Sequence, residues 1–188
     1  MKNKVLKEIL STSLYLLFVL VMTYLAIHFL GQRTIVKGSS MEPTLYGTDL
    51  IDSSKTGDNL IIDKISYRFG DPKRFDIIVF PYRYSDELYI KRIIGLPGET
   101  VQIDAAGNIY IDGEQLQEGY GKEVLLDPGR AAEPILLGDD EYFVMGDNRN
   151  NSADSRTQSV GNVHRSEIVG RAWIRIWPLS RFGLLKHQ

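Results

Sequence analysis

The chain has 188 residues, with 22 Lys and Arg, 24 Asp and Glu, no Cys and a formal net charge of −2. That length is sufficient for one domain with a hydrophobic core and a short appendage. Without Cys the chain cannot form disulfide bonds, cysteine-based metal sites or a catalytic thiolate. The charges are mixed rather than clustered, so we expect no binding to nucleic acid.

The first thirty residues differ sharply in composition from the rest. Residues 9–30 contain no Asp, Glu, Lys or Arg, and as a helix they would extend about 33 Å, enough to cross the hydrocarbon core of a bilayer. The lysines before this run also suit a cleaved signal peptide, but the run is longer than a usual signal-peptide core and no small-X-small cleavage site follows. We predict a cytoplasmic segment over 1–8, a transmembrane helix over 9–30 and an extracytoplasmic domain over 31–188. Basic residues on both sides of the span favour this orientation only slightly.

Beyond the span, short runs rich in Ile, Val, Tyr and Phe alternate with turns that contain Gly, Pro, Asn and Asp. This pattern predicts a mostly β fold, with antiparallel sheets forming a compact domain after one N-terminal transmembrane helix. TVQID and NIYID, separated by a short turn at Gly107, predict a hairpin. The strand candidates in chain order are NLIIDKI, FDIIVF, ELYIKRII, TVQID, NIYID, YFVMG and GRAWIRIW.

A small insertion is predicted at about residues 104–138. Its part from 114 to 138, EQLQEGYGKEVLLDPGRAAEPILLG, has no clear period and contains several Pro and Gly. We predict a long loop for this part. Loops of this length inside compact domains are often functional or mobile, although a plain surface excursion is equally compatible with the pattern.

Two adjacent serines, Ser39 and Ser40, precede a Met-X-Pro turn in VKGSSMEPTL. A serine becomes a nucleophile near neutral pH only with a base beside it, and the usual base is His. The three histidines of the chain are poorly suited. His28 lies in the predicted span, His187 lies next to the chain end, and GNVHRSEIVG offers His164 no orienting neighbour.

A lysine offers a second candidate base. If LYIKRIIG is a strand, Lys91 shares one face with Tyr89 and Ile93, and its own face is therefore largely apolar. Burial disfavours the ammonium form and lowers its pKa, so a buried lysine can accept a proton. The alternative, which is the more frequent one for a single lysine, is a side chain that extends from the strand to water.

The motif GDNRNNSADSR, residues 146–156, concentrates Asp, Arg, Ser and Asn directly after a strand candidate. A solvated loop held by local turns and ion pairs is one interpretation. The other is a rigid loop that clamps a functional site. The motif by itself does not distinguish between the two.

Taken in order, the apolar helix, SMEPTL, RFDIIVF, YIKRIIGLPGE, GDNRNNSADSR and GRAWIRIWP resemble the successive sequence boxes of type I signal peptidase. That family consists of membrane-anchored Ser–Lys endopeptidases that remove signal peptides from exported preproteins. The resemblance covers essentially the whole chain. It implies a single-pass protein of the cell membrane that acts at the outer face, beside the secretion translocon and the lipid surface, with no cofactor and no metal.

By that resemblance the serine directly before Met41 is the nucleophile, which selects Ser40 over Ser39. Lys91 matches the general base that takes the Ser40 hydroxyl proton. Ser152 matches the serine whose hydroxyl orients this lysine. The residues that match the supporting set around the dyad are Ser152, Asp154, Arg156, Asp147, Arg149 and Arg92.

The oxyanion hole and the substrate pocket follow from the same comparison. The N–H of Ser40 matches one oxyanion donor. Some bacterial members provide a second from a serine two positions before the nucleophile, where this chain has Gly38, as in the Gram-positive branch. The resemblance therefore does not identify the second oxyanion donor, and Ser39 is a candidate without further support. Small substrate side chains are expected in shallow apolar pockets, and the matching residues are Val36, Met41, Leu45, Tyr89 and Ile90.

Two other functions compete with this one. A LexA-like self-cleaving repressor would share the Ser–Lys dyad and a related β fold, but it would need DNA-binding helices and an Ala-Gly cleavage linker, and neither is evident. A membrane-tethered module that binds extended peptides without cutting them would not need both Ser40 and Lys91.

Overall fold

The computed structural model describes residues 2–48, 56–85, 87–121 and 123–186, and in its first helix the side chains of residues 4–24. His187 and the side chain of His28 lie outside this description. The first helix, α1, spans Lys2–Leu30. Its stretch Lys4–Tyr24 has a mean hydropathy of 1.9 and is not buried. Within the described ranges it is the one helix long and apolar enough to cross a membrane.

The rest of the described chain is dominated by short strands, with one further helix, α2 (Ser66–Phe69), and three 3₁₀ turns at Gly129–Ala132, Arg165–Glu167 and Leu179–Arg181. The strands are β1 (Gly31–Ile35), β2 (Asn59–Asp63), β3 (Ile77–Pro81), β4 (Leu88–Gly95), β5 (Thr100–Ile103), β6 (Ile109–Ile111), β7 (Glu114–Gln115), β8 (Ile135–Leu136), β9 (Glu141–Met145), β10 (Val163–His164), β11 (Gly170–Trp177) and β12 (Gly183–Leu184).

These strands form two antiparallel sheets. The larger has the order β1-β2-β11-β3-β4-β9-β10, with β12 also paired to β11, and the smaller has the order β7-β6-β5-β8. The predicted hairpin is the β5–β6 pair, in which Val101 lies opposite Ile111. The mostly β, antiparallel fold expected from the sequence is confirmed.

Residues 114–138 are not the unbroken loop that the sequence predicted. They contain β7, β8 and the 3₁₀ turn Gly129–Ala132, and they complete the smaller sheet. Strands of two residues are too short to show a period of alternation, so the sequence pattern did not reveal them.

The central position of β4 in the larger sheet explains why two charged residues are buried. It pairs with β3 along Leu88–Arg92 and with β9 from Arg92 to Gly95. Three clusters of apolar side chains surround these strands. Lys91 and Arg92 point to opposite faces of the strand, and they are 4% and 0% exposed. Both faces of β4 are therefore covered at its middle.

Candidate active site

The segment that carries Ser40 leaves the larger sheet after β1 and is anchored on the core at both ends. The N–H of Val36 donates to the carbonyl of Asp58 at 2.9 Å, and the N–H of Leu45 donates to the carbonyl of Met41 at 2.8 Å. The side chains of Met41 and Leu45 are 1% and 0% exposed in the same apolar cluster. These anchors hold Ser40, which is partly exposed, in a fixed turn.

Lys91 lies within hydrogen-bonding distance of Ser40. Its Nζ donates to Ser40 Oγ at 2.9 Å and to the carbonyl of Ile90 at 3.1 Å. The ring of Tyr89 has its centroid 4.9 Å from the same Nζ. A serine hydroxyl and a buried amine at this separation have the geometry of a nucleophile and its base.

Burial lowers the pKa of Lys91 from 10.5 to about 8, because the ammonium loses its hydration inside the protein. The carboxylates of Asp154 and Asp147 act in the opposite direction and limit the fall of this pKa. A fraction of the Lys91 side chains is therefore neutral near neutral pH and able to accept a proton.

A buried ion pair fixes the other face of β4. Arg92 Nε and Nη2 donate to the two carboxylate oxygens of Asp147, each at 2.8 Å, and both side chains are 0% exposed. Thr44 Oγ1 donates to the same carboxylate at 2.5 Å. Because Thr44 belongs to the serine segment and Arg92 follows Lys91 directly, Asp147 links the segment of the serine to the strand of the lysine.

The loop of residues 146–156 packs directly on the serine segment. The N–H of Asn148 donates to the carbonyl of Ser40 at 3.0 Å, and its side-chain amide donates to the carbonyl of Ser39 at 3.1 Å. Asn151 Nδ2 donates to Ser39 Oγ at 2.8 Å. The sequence left open whether this loop is solvated or clamps a site. Its hydrogen bonds to Ser39 and Ser40 are those of a loop that clamps the site.

Asp154 and Arg156 form a two-point ion pair inside this loop. Arg156 Nε and Nη2 each lie 2.8 Å from a carboxylate oxygen of Asp154, and the two side chains are 6% and 0% exposed. Asp154 also accepts the N–H of Gly146 at 3.1 Å. The pair therefore holds the start of the loop as well as its end.

Ser152 is close to the site but makes no hydrogen bond to Lys91, although the resemblance implied one. Its Oγ is buried and has no hydrogen-bond partner among the described residues, whereas Lys91 Nζ donates to Ser40 and Ile90. A Cβ added to Gly146 would collide with both the Ser152 hydroxyl and the carbonyl of Ser40. Ser152 and the main chain of Ser40 thus pack on the same side of Gly146, in the space that a side chain would occupy.

A cleft of about 370 Å³ opens in front of Ser40 and Lys91. Four of the five expected substrate-binding residues line it, and Leu45 does not. The side chain of Leu45 is instead completely buried in the core. The sequence did not point to the remaining lining residues, which are Thr34, Ile35, Lys37, Glu87, Leu88 and Ala153.

No described histidine replaces the lysine. His164 lies in β10, where its ring nitrogens are 3.3 Å from Asp140 and 3.5 Å from Glu141. It does not line the cleft. Within the described residues, Lys91 is the base that contacts Ser40.

Sequence reasoning missed two groups that support the site. Thr44 lies inside the SMEPTL motif, and its hydroxyl ties that motif to Asp147. Glu118 lies in the aperiodic part of the insertion and pairs with Arg149. The motif itself pointed towards Thr44, but no sequence pattern marked Glu118, since its partner is thirty-one positions away.

The sequence matches the family model described as signal peptidase, peptidase S26, over residues 9–177. It is 42% identical over 163 residues to a probable signal peptidase I-2 from Synechocystis, covering 84% of this chain and 68% of that protein. It is 40% identical to the signal peptidase I of Leptolyngbya laminosa, covering 84% and 74% of the two chains. A signal peptidase I P from Bacillus subtilis subsp. natto is 35% identical, with 88% of each chain covered. The chain therefore belongs to the signal peptidase family, peptidase S26, as a type I signal peptidase.

Proposed function

We propose that this peptidase removes signal peptides from exported preproteins by means of a Ser40–Lys91 dyad at the outer face of the membrane. The observation that carries the proposal is the 2.9 Å contact between Ser40 Oγ and Nζ of a lysine that is 4% exposed. A lysine this buried differs from one that extends to water, and its lowered pKa suits a general base.

The reaction is acyl transfer in two steps. Ser40 Oγ attacks the scissile carbonyl while neutral Lys91 takes the hydroxyl proton, and the protonated lysine then gives a proton to the departing amine of the mature protein. The signal peptide stays attached to Ser40 as an ester. Lys91, neutral again, takes a proton from water, and the resulting hydroxide attacks the ester. Protonated Lys91 then returns the proton to Ser40 Oγ as the ester bond breaks and the signal peptide is released.

The negative charge on the tetrahedral oxygen needs a hydrogen-bond donor. The N–H of Ser40 makes no hydrogen bond to another described residue and is available for this role. Ser39 does not line the cleft, and its hydroxyl accepts the Asn151 amide. The structure thus offers no support for Ser39 as the second donor.

The substrate binds as an extended strand. Residues 34–37 and 87–91 form two walls of the cleft. Among the described strands, residues 88–91 pair only with β3, since β9 begins its pairing at Arg92. The free edge of β4 can give main-chain hydrogen bonds to a peptide in the cleft. Val36, Met41 and Ile90 close the apolar floor and favour small side chains beside the cleaved bond.

The lipid bilayer is the second proposed partner. Large apolar side chains are exposed along β11 and in the segment after it: Trp173, Trp177, Leu179, Phe182 and Leu184. The larger sheet also begins directly after the membrane-length helix α1, since β1 starts at Gly31. We infer that this surface rests on the membrane, with residues 1–8 in the cytoplasm, 9–30 across the bilayer and 31–188 outside, beside the secretion translocon.

The pH dependence of cleavage reports on the base. Only neutral Lys91 can accept the proton, and its pKa is about 8. We expect kcat/KM to rise about tenfold per pH unit below pH 8 and to level off above it. Initial rates of preprotein cleavage from pH 6 to 10 test this. A rate that still rose about tenfold per pH unit up to pH 10 would contradict a buried base.

The proposed function is tested with the full-length protein in detergent and a purified preprotein. We expect the new N-terminus of the product to be the mature one, and a serine-reactive acylating inhibitor to label Ser40 and not Ser39. Absence of cleavage by the wild-type protein would favour a peptide-binding module. Labelling of a serine other than Ser40 would contradict the proposed nucleophile.

A further inference from the structure

The part of the insertion at residues 114–138 contacts the loop of residues 146–156 through a buried ion pair, Glu118–Arg149. Arg149 Nη2 donates to Glu118 Oε2 at 2.8 Å, and Arg149 Nη1 lies 2.5 Å from Glu118 Oε1. The two side chains are 12% and 3% exposed. We infer that Glu118 is a positioning residue for the Ser40–Lys91 dyad, an inference that rests on the proposed function.

Arg149 also contacts the main chain of the loop. Its Nε donates to the carbonyl of Gly146 at 3.0 Å, and this hydrogen bond is buried. The guanidinium therefore joins Glu118 on one side to the main chain of Gly146 on the other. Without Glu118 the buried cation would have no carboxylate partner among the described residues, and an unpaired buried charge is strongly unfavourable. Arg149 would then turn towards water and release the Gly146 carbonyl.

Gly146 packs tightly against the residues of the site. Its N–H donates to Asp154, and a Cβ at this position would collide with Ser152 Oγ and the carbonyl of Ser40. The main chain of Gly146 is thus in direct contact with both serines. A shift of Gly146 therefore moves the residue that carries the attacking hydroxyl.

Glu118 contacts the loop through its side chain, whereas Val124, Leu126 and Asp127 contact the loop through their main chain. Asn150 Nδ2 donates to the carbonyl of Val124 at 2.9 Å, and Asn150 Oδ1 accepts the N–H of Leu126 at 3.0 Å. Arg156 Nη1 donates to the carbonyl of Asp127 at 3.0 Å. These bonds hold the insertion on the loop whichever side chains it carries, so a change at Glu118 removes the charge partner of Arg149 without detaching the insertion.

The test measures cleavage kinetics of full-length variants in detergent, with active sites counted by covalent labelling. Small displacements of reacting groups reduce rates steeply, so Glu118→Ala is expected to lower kcat about 10- to 100-fold, with KM changed by less than about threefold. Glu118→Gln keeps one acceptor oxygen at the same length and should retain more of kcat. The matched control is Glu133→Ala, which removes an exposed carboxylate of the same insertion and should leave kcat unchanged.

A double-variant cycle separates positioning through Arg149 from an independent effect. If Glu118 acts through Arg149, Glu118→Ala/Arg149→Ala should be no slower than the slower single variant. Additive losses would overturn the inference. A lower melting temperature with unchanged kcat per labelled site would also overturn it, since Glu118 would then be only structural.

Ser40→Ala in the same assay distinguishes this inference from the proposed function. Cleavage by Ser40→Ala at the wild-type rate would contradict the dyad itself. An inactive Ser40→Ala together with wild-type kcat for Glu118→Ala would contradict only the role of Glu118.

Discussion

Lys91→Met is expected to lower kcat/KM for preprotein cleavage by about 10⁴- to 10⁶-fold, and Ser40→Ala by a similar factor. Met has nearly the length of Lys and suits the apolar side of β4, so the variant loses the proton acceptor while the strand stays packed. The Ser40 hydroxyl, which contacts Lys91 Nζ at 2.9 Å, would then have no base. Cleavage rates of the full-length variants with one preprotein measure the effect.

The effects of Lys91→Met and Ser40→Ala on kcat/KM should not be additive. Serine and lysine act in one step, so Ser40→Ala/Lys91→Met should be about as slow as either single variant. Lys73→Met, which removes an exposed lysine of the same domain, is the control and should cleave normally. Substantial activity of Lys91→Met would contradict the role of Lys91 as the base.

Asp147→Ala is expected to destabilise the protein by about 3–5 kcal/mol, because it leaves the fully buried guanidinium of Arg92 without its carboxylate. Both side chains are 0% exposed, so water cannot replace the lost partner. For a chain of this size that corresponds to a fall in melting temperature of roughly 6–20 °C. Thermal unfolding in mild detergent, followed by near-ultraviolet circular dichroism, measures it. Cleavage should fall as well, since Thr44 also loses its acceptor.

A second substitution separates the unpaired charge from the lost packing. Arg92→Met/Asp147→Leu removes both charges and keeps most of the volume, so it should unfold at a higher temperature than Asp147→Ala. Asp139→Ala, which removes an exposed carboxylate, should have almost no effect. If the double variant were at least as unstable as Asp147→Ala, the buried charge would not be the cause.

Features that depend on neighbouring residues could be predicted from the sequence, whereas contacts between distant residues could not. The strands were predicted because runs of Ile, Val, Tyr and Phe bounded by turn residues are a local property of the chain. The resemblance placed Leu45 in the substrate cleft, whereas the side chain is buried in the core and does not line the cleft. A matching position in a motif does not say which side of a turn faces the core. The resemblance implied that the hydroxyl of Ser152 orients Lys91, but the structure has no hydrogen bond between the two.

The amino-acid sequence by itself determined the membrane-length helix, the antiparallel β character and the order of the motifs that contain Ser40 and Lys91. These features follow from composition and from patterns among residues that are close together in the chain. Only the tertiary structure decided which groups meet. Lys91 is buried because distant segments, including the one that carries Ser40, pack around its side chain. Its lowered pKa depends on that burial. Likewise Glu118 reaches Arg149 only because two sheets bring distant segments together, and a contact of that kind leaves no pattern in the sequence.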